Sequence, residues 1–245
     1  RRRVSINKSK EMINMDNCWE LFNSIIGTSE RVLLYGVPGT GKTYQATIAN
    51  VPNNKKIYST TLTVDSSASE LVGHYIPNEK GTFDWNDGVA IKAWREGTRL
   101  VINEIDHAGP DVTSVLHAIL DDRDIARFTL PNQDKETVKP AKGFNVIATM
   151  NGTPDSLPEA LADRFAVKLN INEVHPQAIL ALPEKYRSVY SDKAGAYDEI
   201  PMSIRAWKEF AKLVDNNVSI ANAARVCFDS YVAQEIVDAL ELQDV

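Results

Sequence analysis

Eight consecutive residues, Gly36, Val37, Pro38, Gly39, Thr40, Gly41, Lys42 and Thr43, set three glycines, a lysine and a hydroxyl at the spacing G-x-x-x-x-G-K-T. The chemistry open to such a set is phosphate binding. Glycines let the backbone turn tightly, so that successive N–H groups and a helix N-terminus point at one phosphate. Lys42 adds a point charge between the β- and γ-phosphates of a nucleotide, and the Thr43 hydroxyl is placed to ligate Mg2+.

A bound γ-phosphate is attacked by water, which needs a base held beyond the end of a neighbouring strand. Glu104 follows the apolar run Leu100, Val101, Ile102 and takes that place. A carboxylate is expected just before it, because Mg2+ is a hard cation that favours charged oxygen partners. Asn103 stands there instead. Its amide oxygen can accept from a metal-bound water, with one negative charge fewer, and Asn103→Asp is expected to tighten Mg2+ use and raise turnover. Asp106 either restores part of the field or caps and pairs at the strand end.

These groups need a scaffold. Residues 31–35 read as a buried strand before the loop and residues 44–49 as a helix after it, the context that the motif requires. Strands are predicted at 56–60, 99–102, 144–148 and 165–169, and a β-hairpin at 126–138 around Pro131, Asn132, Gln133 and Asp134. Helices are predicted near 10–26, at Met12, Met15, Trp19, Phe22 and Ile26, then near 68–72 behind an Asp65 to Ser67 cap, at 89–94, and from a cap at Asp111 through Leu120. A Pro52, Asn53, Asn54 turn precedes the second strand. Residues 73–88 break the pattern and read as a loop rich in exposed aromatics. Strands separated by helices imply an α/β fold with an open, mostly parallel sheet covered on both faces. After residue 173 the strand signals vanish, and 176–182, 204–214, 220–231 and 232–242 read as helices. The predicted organisation is an N-terminal helical segment over 1–27, a nucleotide-binding α/β domain over 28–173 and a small helical lid domain over 174–245.

The composition suits this: 245 residues, 43% hydrophobic and 24% charged. A net charge of −6 and an isoelectric point near 5.3 count against a mainly electrostatic nucleic-acid binder. No apolar run approaches membrane-spanning length and no secretory signal is seen, so no membrane role is expected. Cys18 and Cys227 lie far apart and read as reduced thiols of a cytoplasmic protein, and His74, His107, His117 and His175 show no metal-ligand spacing.

The phosphate loop, residues 100–106, residues 144–151 and the run Ser156, Leu157, Pro158, Glu159, Ala160, Leu161, Ala162, Asp163, Arg164, Phe165 together resemble the AAA+ ATPases, and within them the MoxR group and the dynein-related AAA domains. The resemblance spans roughly residues 25–215. It implies an ATPase that uses ATP and Mg2+ and assembles into a homo-oligomeric, hexameric ring. By that resemblance Asn151 is the sensor-1 residue that orients the attacking water. Arg164 is an arginine finger reaching a neighbouring subunit's γ-phosphate, and Arg205, in Ser203-Ile204-Arg205, is the sensor-2 residue on the lid. Residues 73–88 and 127–138 resemble two insertions that often face the ring's pore. Read alone, Arg164 pairs with Asp163 or Glu159 and Arg205 is a solvated helix residue.

Three functions follow. The first is an ATP-driven ring that remodels or activates a protein partner. The second is a slowly hydrolysing, nucleotide-switched scaffold, because Asn103 replaces the usual Asp. The third is a nucleic-acid-directed motor whose pore carries Lys80, Lys92, Arg127, Lys135 or Lys139.

Overall fold

The computed structural model describes residues 17–51, 55–194 and 203–243. In chain order the elements are α1 (Cys18–Ile25), β1 (Arg31–Tyr35), α2 (Lys42–Ile48), β2 (Tyr58–Thr61), α3 (Ala68–Val72), β3 (Gly73–Pro77), β4 (Phe83–Asp87), α4 (Val89–Glu96), β5 (Arg99–Asn103) and α5 (Pro110–Ile119). There follow β6 (Phe128–Thr129), β7 (Thr137–Val138), β8 (Asn145–Thr149), α6 (Glu159–Asp163), β9 (Val167–Asn170), α7 (Pro176–Leu180), α8 (Glu184–Ala194), α9 (Ile204–Asp215), α10 (Ile220–Cys227) and α11 (Ser230–Gln243).

Five strands form a parallel sheet in the order β2-β5-β8-β1-β9. Alternation along each strand explains why both faces are covered. Leu33, Leu100, Ile102, Val146 and Ala148 point into one layer, against Ile91 and Trp94 of α4 and Leu116 of α5. Their neighbours Val32, Leu34, Val101 and Ile147 point into the other, against Trp19 and Phe22 of α1 and Ala46 of α2. A strand buried on both faces reads as an unbroken apolar run, as β5 does. Helices α7 to α11 build a separate core around Tyr186, Trp207, Phe210 and Ile236.

Because the strands are parallel, the loops after β1, β5 and β8 leave the same edge. The connection after β1 crosses to β2 on one side and the strand beyond it, β9, arrives on the other, the switch in strand order at which open α/β sheets bind ligands.

Several expectations need correction. Residues 73–88 are not an irregular loop: β3 and β4 pair antiparallel, with Tyr75 opposite Trp85 and their rings edge-on at 5.3 Å. The Asn78 side chain holds the turn, accepting from Lys80 N at 3.1 Å and Thr82 N at 3.0 Å. Asp111 does not cap α5, which starts from Gly109 with Pro110 in its first turn. Helix α8 lies between two predicted helices, in a stretch to which no element was assigned. The last two helices divide at Phe228, in extended conformation, rather than after Tyr231. Helix α1 is the described part of the first predicted helix, while Met12, Met15 and the turn at Pro52, Asn53 and Asn54 lie outside the described residues.

Candidate functional site

The phosphate loop begins where β1 ends. Gly36, Gly39 and Gly41 take φ values of 120°, 80° and 104°, conformations that side chains rarely adopt. At Gly36 the space is closed as well: a Cβ there would lie 2.6 Å from Asn170 Oδ1 and 2.7 Å from the Ile171 carbonyl. Gly41 then caps α2, so Lys42 and Thr43 open the helix. Thr40 is buried, and its hydroxyl donates to the Val37 carbonyl at 3.1 Å, bracing the loop from inside.

Lys42 is 6% exposed and bends back over the loop, donating to the carbonyls of Gly36 at 3.0 Å and Val37 at 2.6 Å. Burial pushes its ammonium down to about 8; Glu104 and Asp106 pull it back up, and Arg205 pushes it down. A desolvated cation without a full counter-charge is poised for an anionic ligand.

Glu104 leaves β5 in the left-handed region, φ 55° and ψ 47°. A non-glycine residue there stores of order 1–3 kcal/mol of strain, and such strain gathers at functional sites. Asn151, just beyond β8, joins the two charged groups. Its Oδ1 lies 3.3 Å from Lys42 Nζ, and its Nδ2 donates to both carboxylate oxygens of Glu104, at 3.1 and 3.3 Å.

Lys42, Thr43, Glu104, Asn151 and Arg205 line one cleft of about 530 Å3, together with Pro38, Gly39 and Gly41. Helix α9 brings Arg205 in, because Ile204 is buried in the helical core and Ser203 packs beside Gly39. The helical layer is fastened to the loop by the His175 N–H, which donates to the Thr40 carbonyl at 3.0 Å.

Two predicted site residues lie elsewhere. Asn103 is 5% exposed and does not line the cleft. Its Nδ2 donates to Thr60 O at 3.2 Å and Ser59 Oγ at 3.3 Å, and its Oδ1 accepts from Thr149 Oγ1 at 3.2 Å, so the side chain ties β5 to β2 and β8. Arg164 is also outside the cleft. It precedes β9, whose Val167 pairs with Val32 near the start of β1, so it sits at the opposite edge of the sheet. A five-residue strand separates those edges by roughly 16 Å. Its guanidinium is paired, but with Asp121 at 2.6 Å rather than with Asp163 or Glu159.

The sequence did not single out Tyr44, Thr149, Met150, His175, Gln177, Ala178, Ala181 and Lys208 as site residues, and they too line the cleft. His175 Nδ1 accepts from Gln177 N at 3.2 Å and burial lowers its pKa, so it lines the wall as a neutral ring. Only contact with the loop marks these positions, and no local pattern announces it.

For Mg2+ the donor set is hard oxygen. Thr43 offers a hydroxyl in the cleft, and carboxylate oxygens of Glu104 and Asp106 lie within 4.8 Å of each other, with a nitrogen of His107 equally near them. Asp106 Oδ1 is buried with no hydrogen-bond partner among the described residues, and Oδ2 lies 3.7 Å from His107 Nε2. The carboxylate thus pairs with His107 at the strand end, one of its two expected roles, while an Oδ1 acceptor left without a donor suits a hydrated cation.

Comparison with known proteins bears on this arrangement. A solved structure from Cytophaga hutchinsonii ATCC 33406 aligns with a TM-score of 0.47 at 22% identity, covering 74% of this chain and 51% of that one. The uncharacterized protein SH1500 of Staphylococcus haemolyticus is 36% identical over 167 residues, 64% of this chain and 62% of the relative. The uncharacterized protein YojN of Bacillus subtilis is 36% identical over 155 residues, 60% of this chain and 50% of the relative. The chain thus spans less than two thirds of the length of these curated relatives. The profile of the AAA domain (dynein-related subfamily) matches residues 31–165, from the first residue of β1 through the residue after Arg164. With more than half of its length matched, and its phosphate loop, Glu104 and Asn151 on one edge of a five-stranded parallel sheet, the chain belongs to the dynein-related subfamily of AAA domains.

Proposed function

We propose that this protein is an ATP-hydrolysing member of the MoxR-like AAA+ ATPases that works as a homo-oligomeric ring and remodels or activates a protein partner. The observation that carries the reading is the convergence of Lys42, Thr43, Glu104, Asn151 and Arg205 on one cleft, with Arg164 a strand length away from it. Lys42 and the loop N–H groups hold the phosphates. Glu104 accepts the proton of the attacking water, and Asn151 fixes where the carboxylate points. Arg205 tracks the nucleotide from the helical layer, which acts as a lid. Arg164 is out of reach of its own cleft and serves that of a neighbouring copy.

Thr43, with Glu104 and Asp106 nearby, would hold Mg2+. The ion supplies charge neutralisation at the β- and γ-phosphates.

A slower, switch-like use of ATP is the second reading, and it rests on Asn103. Its amide is bonded inside the sheet, so the cleft has no carboxylate from the position before Glu104. Steady-state hydrolysis over a range of protein concentrations, with and without nucleic acid, separates the readings. A per-subunit rate that rises with concentration and is lost in Lys42→Ala and Glu104→Gln supports the ring ATPase. Tight ATP binding with no turnover at any concentration favours the switch, and stimulation by nucleic acid the motor.

A further inference from the structure

The amino-terminal edge of the sheet, opposite the nucleotide cleft, holds a second cavity of about 170 Å3. Its walls include Lys55, Arg99 at the start of β5, Asn145 at the start of β8, Gly143, Gly27 and Asn50. Arg99 is 5% exposed, yet no carboxylate lines the cavity among the described residues. Its Nε donates to Asn145 Oδ1 at 3.0 Å, and its Nη1 donates to the carbonyls of Ala46 at 3.1 Å and Ala49 at 2.6 Å, at the end of α2. Burial alone pushes the guanidinium down to about 10. Buried charges are ordinarily paired, because desolvating an ion costs several kcal/mol or more.

A second cation stands beside it. Lys55 Nζ donates to the Gly97 carbonyl at 2.8 Å and lies 3.1 Å from where a Cβ on Gly143 would be. Gly143, at φ 96°, leaves that space open. Asn50 also lines the cavity, and its Nδ2 lies 3.0 Å from where a Cβ on Gly27, another lining residue, would be. The nearby acceptors are already used: Gly97 O by Lys55, Gly143 O by Asn145 at 3.1 Å, and the α2 carbonyls by Arg99. A helix end offers at most roughly half a negative charge. Two positive charges therefore face a concave space with donors to spare and no anion in its walls among the described residues.

We propose that this cavity binds a small tetrahedral oxyanion of the phosphate or sulfate class, held by Arg99 and Lys55 and separate from the phosphate loop. It lies at the far end of α2 from Lys42, so it shares a helix with the nucleotide site but no ligand-binding side chain. The inference does not depend on ATP hydrolysis or on ring assembly.

The test uses Lys42→Ala, which takes the cation out of the phosphate loop, titrated with inorganic phosphate at constant ionic strength and followed by thermal unfolding and phosphorus NMR. The expected result is a saturable rise in the unfolding midpoint that chloride does not reproduce and sulfate competes away. Arg99 is buried, and its replacement could simply unfold the protein. Lys55 is exposed, so Lys55→Glu is the discriminating change, and added to Lys42→Ala it should weaken phosphate binding by at least about ten-fold. With Lys42 intact, Lys55→Glu should leave ATP affinity unchanged. No saturable response in Lys42→Ala, or the same response in the double variant, overturns the proposal. So does a parallel loss of ATP affinity in Lys55→Glu, which would make the two sites one.

Discussion

The amide nitrogen of Asn151 stands 3.1 Å from one carboxylate oxygen of Glu104 and 3.3 Å from the other. Glu104 is already fixed at its backbone by a left-handed φ, so this contact sets the remaining freedom of the carboxylate. Asn151→Ala is expected to keep ATP binding within a few-fold and to lower turnover by about 10²-fold or more, the range over which a positioned general base contributes. Equal losses of affinity and turnover would instead make Asn151 a ligand-binding residue.

Lys42 gives a pH signature. Its ammonium is held near 8 in the free protein, and phosphate oxygens will draw it back up. ATP binding at pH 8 to 9 should therefore take up a proton, seen as a buffer-dependent binding enthalpy, and affinity should fall as pH rises above about 8. The folded pKa lies below the ordinary lysine value of 10.5, so between those values the unfolded chain binds more protons and the stability of the free protein rises with pH. Lys42→Met should abolish both the proton uptake and that rise.

Asn103→Asp is expected to behave differently from what its place beside Glu104 suggests. The carboxylate would replace the donor to Thr60 O and would point within the sheet, away from the cleft. A lost partner at a buried polar group costs about 1–3 kcal/mol. Urea unfolding should show that loss, while the Mg2+ dependence of ATP affinity stays unchanged. A tighter Mg2+ requirement at undiminished stability would restore Asn103 to the metal site.

How much was legible in the sequence depends on how local the cause is. The positions of the phosphate loop and Glu104 were, because glycine spacing and the end of an apolar run fix where those residues go, whereas Asn151 came only from the family resemblance. Asn103 was placed correctly at the end of a strand, but strand neighbours decide what its side chain does, and Ser59 and Thr149 are remote in sequence. Asp121 was invisible as the partner of Arg164 for the same reason. The β3–β4 hairpin was hidden because its Tyr75 and Trp85 pair lies on a half-exposed ribbon, where alternation of apolar and polar residues is faint. Helix α8 carried a signal at Tyr186, Val189 and Tyr190, all buried, but polar residues around them blurred it.

Arg205 tests the helical layer. It lines the cleft from α9, in the helical layer, so on the proposed function its effect should fall on affinity. A hydrogen bond to a charged group contributes about 1.5–3 kcal/mol, and Arg205→Ala should weaken ATP binding by roughly 10- to 100-fold, measured by calorimetry. Wild-type affinity would remove the lid role.

The central claim is that each cleft is completed by Arg164 of another copy. Glu104→Gln should bind ATP without hydrolysing it, since an amide cannot accept the water's proton. Arg164→Ala should also be inactive, having lost a charge of the kind that contributes about 10³ to 10⁵ in rate. Mixed together, an Arg164→Ala subunit keeps its Glu104 and can receive the intact Arg164 of a Glu104→Gln neighbour. The most direct measurement is the ATPase rate of that mixture across ratios of the two variants, with subunit exchange followed by energy transfer between labelled chains. The account predicts partial recovery of the wild-type rate, greatest near equal proportions. Background activity at every ratio, with exchange complete, would contradict it.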